Sequence, residues 1–94
     1  MSWYNAQAEI EELNKSLNKG LIKSEEPWRL PTEDELLAEF NKAGKTPAGF
    51  ERDCYWSGTT HPGLPGSAYF INMGRGNVDI DYKRNPNFLA RCVR

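Results

Sequence analysis

The sequence has no excess of basic residues. Lysine and arginine number 12, aspartate and glutamate 13, and the formal net charge over 94 residues is −1. Proteins that bind phosphate backbones usually show a basic excess or stripe, so this balance gives no reason to expect nucleic acid. No polybasic segment is present to hold the chain on an anionic membrane. No apolar run approaches the ~20 residues that span a bilayer. Cysteine is scarce: Cys54 and Cys92 are the only two. Two are too few for a disulfide framework, and there is no CxxC or Cys/His cluster for zinc. The expected state is two buried thiols acting as small hydrophobes, with a Cys54–Cys92 disulfide as the alternative if the protein is exported. Repeats, low-complexity stretches and linkers are also absent. The 94 residues are therefore expected to form one domain, 1–94, with a single modest core. No cofactor is expected. The opening Met1-Ser2-Trp3-Tyr4-Asn5 lacks the basic-then-apolar layout of a signal peptide, so the expected compartment is the cytoplasm.

Aromatic residues are plentiful, at 12%, and they supply large buried areas per residue. Trp3, Ala6, Ile10, Leu13 and Leu17 recur at spacings of three and four, which predicts an amphipathic helix. Ser2 is its expected N-cap, Glu11 and Lys15 an i,i+4 pair, and Gly20 its stop. Residues 21–27 read as a connection. Ala8, Leu21 and Ile22 could form a second apolar edge, which leaves the oligomeric state open. Trp28-Arg29-Leu30 reads as extended, because Pro31 disfavours the helical region for Leu30. Thr32 with Glu35 three residues on is a capping box, and Glu33 and Asp34 suit the positive end of the helix dipole. Leu36, Leu37 and Phe40 form the buried stripe of this second helix, and Gly44 ends it.

Beyond Pro47 the pattern is strands and turns. Strands are expected over 54–59, 67–73, 78–83 and 88–93. Between them lie a Pro/Gly loop over 60–66, a tight turn over 74–77 and a turn over 85–87. Val78, Ile80 and Tyr82 should face one way, and Asp79, Asp81 and Lys83 the other. Two helices followed by an antiparallel sheet of about four strands is an α+β layout.

Five segments then occur in a distinctive order. They are WRLPTEDEL after the first helix, YWSGT, an Ala68-Tyr69-Phe70 strand, a glycine hairpin and a terminal RCVR. Together they resemble the Lcl C-terminal-like domain, a bacterial and phage-associated domain. Its usual pattern is a helix, WRLPT-x-x-EL, YWSST, an Ala-aromatic strand, a glycine turn and VRCVR. The resemblance runs from Ser2-Trp3 to Arg94. It implies kinship with C-type-lectin-like and formylglycine-generating-enzyme-like folds. It also implies that Trp56 packs inside, and it allows adhesion or carbohydrate contact. This chain has YWSGT where the family usually has YWSST, and an unusual loop from His61 to Gly66.

The residues expected to serve structure are Trp28, Arg29, Pro31, Thr32, Glu35 and Trp56. Arg29 either pairs with a carboxylate, Glu35 or Asp53, or binds an anion near the second helix. Glu33 and Asp34 would repel an anion there, which favours the pair. His61 is the only histidine. Ser57, Thr59 and Thr60 are near in sequence, but no nucleophile elbow or orienting acid accompanies them, so a surface role is expected rather than catalysis. Asp79 and Asp81 are expected on a solvated strand face, with a shared calcium as the alternative. Gly74-Arg75-Gly76-Asn77 lacks the helix and Lys-Ser/Thr of a phosphate loop, so it reads as a hairpin turn with Arg75 at its tip. Tyr55, adjacent to Trp56 in one strand, should face the opposite side and join Tyr69 and Tyr82 on an exposed face. The expected binding residues are thus His61, Leu64, Arg75, Tyr55, Tyr82 and Asn87. No catalytic or metal-binding residue is expected. The expected function is a non-catalytic interaction module that binds a protein, as a small phage or mobile-element accessory or inhibitor would. Carbohydrate binding and a purely structural role are the alternatives.

Overall fold

The structure, a computed structural model, describes residues 1–18 and 27–94, without the side chains of 16–18. The expected stop at Gly20, the connection up to residue 26, the side chain of Leu17 and the apolar edge at Leu21 and Ile22 lie outside the described residues.

The chain forms helix α1 (Trp3–Asn18), helix α2 (Glu33–Ala43) and strands β1 (Cys54–His61), β2 (Leu64–Asn72) and β3 (Asn77–Tyr82). The strands make one antiparallel sheet in the order β1-β2-β3. This is the expected α+β fold with three strands in place of four. The segment expected to close the sheet, 88–93, makes only two isolated bridges. Leu89 lies parallel to Tyr55, and Val93 lies antiparallel to Arg29. Its backbone bonds are divided between two partners, so no run of consecutive residues pairs with one strand. The loop expected over 60–66 also shrinks to a turn at Pro62-Gly63, because β1 continues to His61 and β2 starts at Leu64.

Each face of the sheet carries its own apolar cluster, with α2 covering only part of the second face. On the α1 side Ala6, Ile10, Leu30, Trp56 and Ala68 are buried together, with Trp3, Trp28, Phe70, Phe88, Ala90 and Cys92 packed against them. On the α2 side Leu36, Tyr55, Ile71 and Met73 form the second cluster, flanked by Phe40, Phe50 and Leu89. This overturns the expectation that Tyr55 is exposed. Tyr55 does point opposite to Trp56, but it meets α2 there and is only 5% accessible. Its hydroxyl accepts the Glu51 N–H at 2.8 Å, which satisfies the phenol oxygen at the edge of the core.

The first residues are tied to the sheet by polar contacts that complete the α1-side cluster. The Trp56 indole N–H donates to the Met1 carbonyl at 3.0 Å, and the Trp3 indole donates to the Ser57 carbonyl at 3.0 Å. The Met1 ammonium donates to the Phe88 carbonyl. Ser2 caps α1 as expected, its Oγ accepting the Asn5 N–H at 3.1 Å. Leu13, expected in the buried stripe, is 45% exposed. Asn14, on the polar side of the pattern, instead clamps Trp28 by accepting its N–H at 2.7 Å and donating to its carbonyl at 3.0 Å. Lys15 pairs with Glu12, not with Glu11. Cys54 and Cys92 are free thiols, half-buried rather than fully buried. Burial, followed by the nearby charges of Asp53 and Asp81, pushes the Cys54 thiol up.

Candidate functional site

Two places in the fold gather the residues expected to matter. The first is the junction at Trp28–Thr32. Arg29 donates to both carboxylate oxygens of Glu35, at 2.6 and 2.9 Å. Glu35 Oε1 also accepts the Thr32 N–H at 2.8 Å, while Thr32 Oγ1 accepts the Glu35 N–H at 3.1 Å. The capping box and the ion pair therefore share one carboxylate. Pro31 is buried, and its carbonyl receives the Gly58 N–H at 2.8 Å. Arg94 lies over the Trp28 ring at 4.2 Å, so the chain's last residue closes on the same junction. A depression here is lined by Gln7, Arg29, Leu30, Thr32, Gly58 and Thr59. The Arg29 guanidinium in its wall is already engaged by Glu35. The junction is a clasp between helix, sheet and C-terminus.

The clasp makes stability depend on pH. The Arg29 side chain, then the Thr32 N–H, holds the Glu35 carboxyl down to about 2 from its ordinary 4.5. A depressed carboxyl stabilises the fold above its unfolded value and loses that contribution as pH falls through the folded one. Stability should therefore decline as pH falls from 4.5 toward about 2. Glu35→Gln should flatten that part of the curve, as read by denaturant midpoints across this range. The pair is half-exposed, so solvent screens it and the effect will be modest.

The second place is the end of the sheet at the β1–β2 turn. His61 stands opposite Leu64 across the turn, and its ring lies 5.6 Å from that of Tyr69. Its Nδ1 accepts the Gly63 N–H at 3.1 Å. Tyr69 pairs with Ile80, and Ser67 pairs with Tyr82. Tyr69, Ile80 and Tyr82 therefore share one face, the face that α2 covers further along. The helix reaches only the other half: Phe40 meets the 73–76 turn, where its ring abuts Gly76. Tyr69 and Ile80 are half-buried, Tyr82 is 63% exposed and Leu64 50% exposed. Arg84 lies over the Tyr82 ring at 5.3 Å. Asn87 is exposed in the turn after β3, its N–H bonded to Asn85 Oδ1 at 3.0 Å.

The structure thus brings together His61, Leu64, Tyr69 and Tyr82, whereas Asn87 lies in the turn before Phe88, which packs on the opposite, α1-side cluster. It does not bring Arg75 to them. Arg75 sits in the β2–β3 turn, at the far end of β2, roughly 25 Å away at strand rise. Ile80 also belongs to this face and was not among the expected binding residues. Its alternation with Val78 and Tyr82 was visible, but nothing local said that this half of the face would lack a cover. Ser57, near His61 in sequence, is fully buried and donates to the Tyr69 carbonyl at 2.8 Å. Lys83, expected on a solvated face, is buried to 7% accessibility with its ammonium 4.0 Å from the Trp3 ring centre. Asp79 and Asp81 do not converge on a common point. Each accepts a backbone N–H from the residue after it. Among the described residues no three His, Cys, Asp or Glu side chains gather as a metal ion would require. Nor is any described helix long and apolar enough to cross a membrane.

Among the described residues, two helices on a three-stranded antiparallel sheet, clasped by a WRLPT segment, define a small α+β domain. The Lcl C-terminal domain model matches residues 1–94, and the chain belongs to that family. No curated protein and no solved structure matches it.

Proposed function

We propose that the chain is a non-catalytic binding module that takes a protein partner on the half-covered sheet face at the β1–β2 turn. The observation that carries this reading is the exposed pair Tyr82 and Leu64 beside half-buried Tyr69 and Ile80. Rigid aromatic side chains held on a sheet lose little entropy on binding, and tyrosine is favoured at the centre of protein interfaces. His61 supplies a polar group at the rim, where hydrogen bonds set orientation. The clasp and the paired strands hold these side chains in place before a partner arrives, which lowers the cost of binding. A cytoplasmic accessory protein that captures and redirects another protein fits this reading.

The test begins with affinity capture and continues by titration against the purified partner. Tyr82→Ala and Tyr69→Ala should each weaken binding by about tenfold or more, as central aromatic contacts do. Arg75→Ala, at the opposite end, should leave the affinity unchanged. Loss at Arg75 with no loss at Tyr82 would move the site to the other turn. Saturable binding on a glycan array, sensitive to Tyr82→Ala, would replace the protein partner with a carbohydrate.

A further inference from the structure

We propose that Asp79 and Asp81 close the free edge of the sheet to strand addition by another copy of the chain. The sheet has two edges, and the fold treats them differently. At the β1 edge four of the outward backbone groups are taken up within the chain. Cys54 N–H donates to Asp53 Oδ1 at 2.7 Å. The Cys54 carbonyl accepts Leu89 N–H at 2.9 Å, Trp56 N–H donates to the Leu89 carbonyl at 3.0 Å, and Gly58 N–H donates to the Pro31 carbonyl at 2.8 Å. The β3 edge has no such neighbouring segment among the described residues.

The register fixes which β3 groups point outward. The Tyr69 carbonyl accepts the Ser57 hydroxyl, so it faces β1, away from β3. Tyr69 and its partner Ile80 are therefore a pair that does not exchange backbone bonds. By alternation the N–H and carbonyl of Val78, Ile80 and Tyr82 all point away from the sheet. A row of outward backbone groups is a template for another strand, and it lies beside the apolar side chains of the same three residues. Two of its three donors are already occupied. Ile80 N–H donates to Asp79 Oδ1 at 2.8 Å, and Tyr82 N–H donates to Asp81 Oδ1 at 2.7 Å. Asn85 Nδ2 holds the other oxygen of Asp81 at 2.9 Å, and Asn85 N–H takes the Tyr82 carbonyl at 2.9 Å. An incoming strand must break each cap and strip water from a carboxylate before it gains a backbone bond. The alternation Val-Asp-Ile-Asp-Tyr thus places an acceptor one residue before each guarded donor. This inference does not depend on the proposed binding face, because it concerns backbone groups and a second copy of the chain.

The test compares wild type, Asp79→Ala/Asp81→Ala and Asp79→Asn/Asp81→Asn by sedimentation over a wide concentration range, with amide exchange read at Val78, Ile80 and Tyr82. Wild type and the asparagine variant, which keeps an acceptor, should hold a mass independent of concentration. The alanine variant should associate, and its Ile80 and Tyr82 amides should exchange more slowly as concentration rises. Within wild type, Ile80 and Tyr82 should exchange several-fold more slowly than the uncapped Val78 amide after correction for intrinsic rates. That comparison stands even if the alanine variant fails to fold. The proposal is overturned if the alanine variant keeps the wild-type mass, or if wild type itself associates through β3. Equal association of the asparagine and alanine variants would overturn it too, since charge and not capping would then be the guard. So would equal exchange at all three wild-type amides.

Discussion

Trp56→Ala should destabilise the fold by about 3–5 kcal/mol, as removing a large buried aromatic side chain does. Trp56 is fully buried at the centre of the α1-side cluster, with the Phe88 ring 4.8 Å away. Its loss would leave a cavity between β1, α1 and the C-terminal segment. It would also remove the indole donor that holds the Met1 carbonyl. A domain of this size has roughly 5–15 kcal/mol in total, so the variant should be partly or wholly unfolded. Denaturant unfolding followed by circular dichroism measures the change. A loss below about 1 kcal/mol would mean that the site collapses around the missing ring, contrary to close packing.

Gly76→Ala should cost about 1–3 kcal/mol, although it adds one methyl group. Gly76 has φ +79, a conformation that side chains disfavour, and an added Cβ would lie 2.6 Å from Phe40 Cδ1. Backbone strain and collision add at the same position. Phe40 would have to move, and with it the contact between α2 and the β2–β3 turn. Gly66→Ala is the control, because a Cβ there meets nothing within 4 Å and φ is not positive. Thermal unfolding should separate the two variants by several degrees for a domain of this length. If Phe40→Ala restores part of the loss in Gly76→Ala, the collision is the larger contribution. If it does not, the positive φ dominates.

The capping box at Thr32 and Glu35 was legible because capping is local: four residues decide it. The Gly44 stop was legible for the same reason, and the glycine turn expected over 74–77 lies one residue earlier, at 73–76, with Asn77 already in β3. The pairing of Arg29 with Glu35 was one of two carboxylates open to it, and the fold selected the nearer. Tyr55 and Trp56 were placed on opposite faces by strand alternation, and that holds. Alternation could not say that α2 covers the second face at Tyr55, so Tyr55 was expected outside and is inside. On β3 the same rule grouped Val78, Ile80 and Tyr82 together but could not tell that Tyr82 is exposed while Lys83 packs under Trp3. The closing strand failed because a residue pattern fitting a strand says nothing of whether one partner runs beside it.

The sequence by itself determined the elements that depend on near neighbours: the two helices, the Ser2 and Thr32 N-caps, the Gly44 stop, three of the strands to within a few residues, and a family pattern spanning the chain. Spacings of three, four and two residues set these, and they act within one or two turns. Only the tertiary structure decided which faces are covered, which edge is free, and which candidate residues share a surface. Those outcomes depend on contacts between residues far apart in the chain, such as Met1 with Phe88, Trp3 with Lys83 and Arg29 with Val93. Such contacts depend on how the elements pack, which periodicity does not encode.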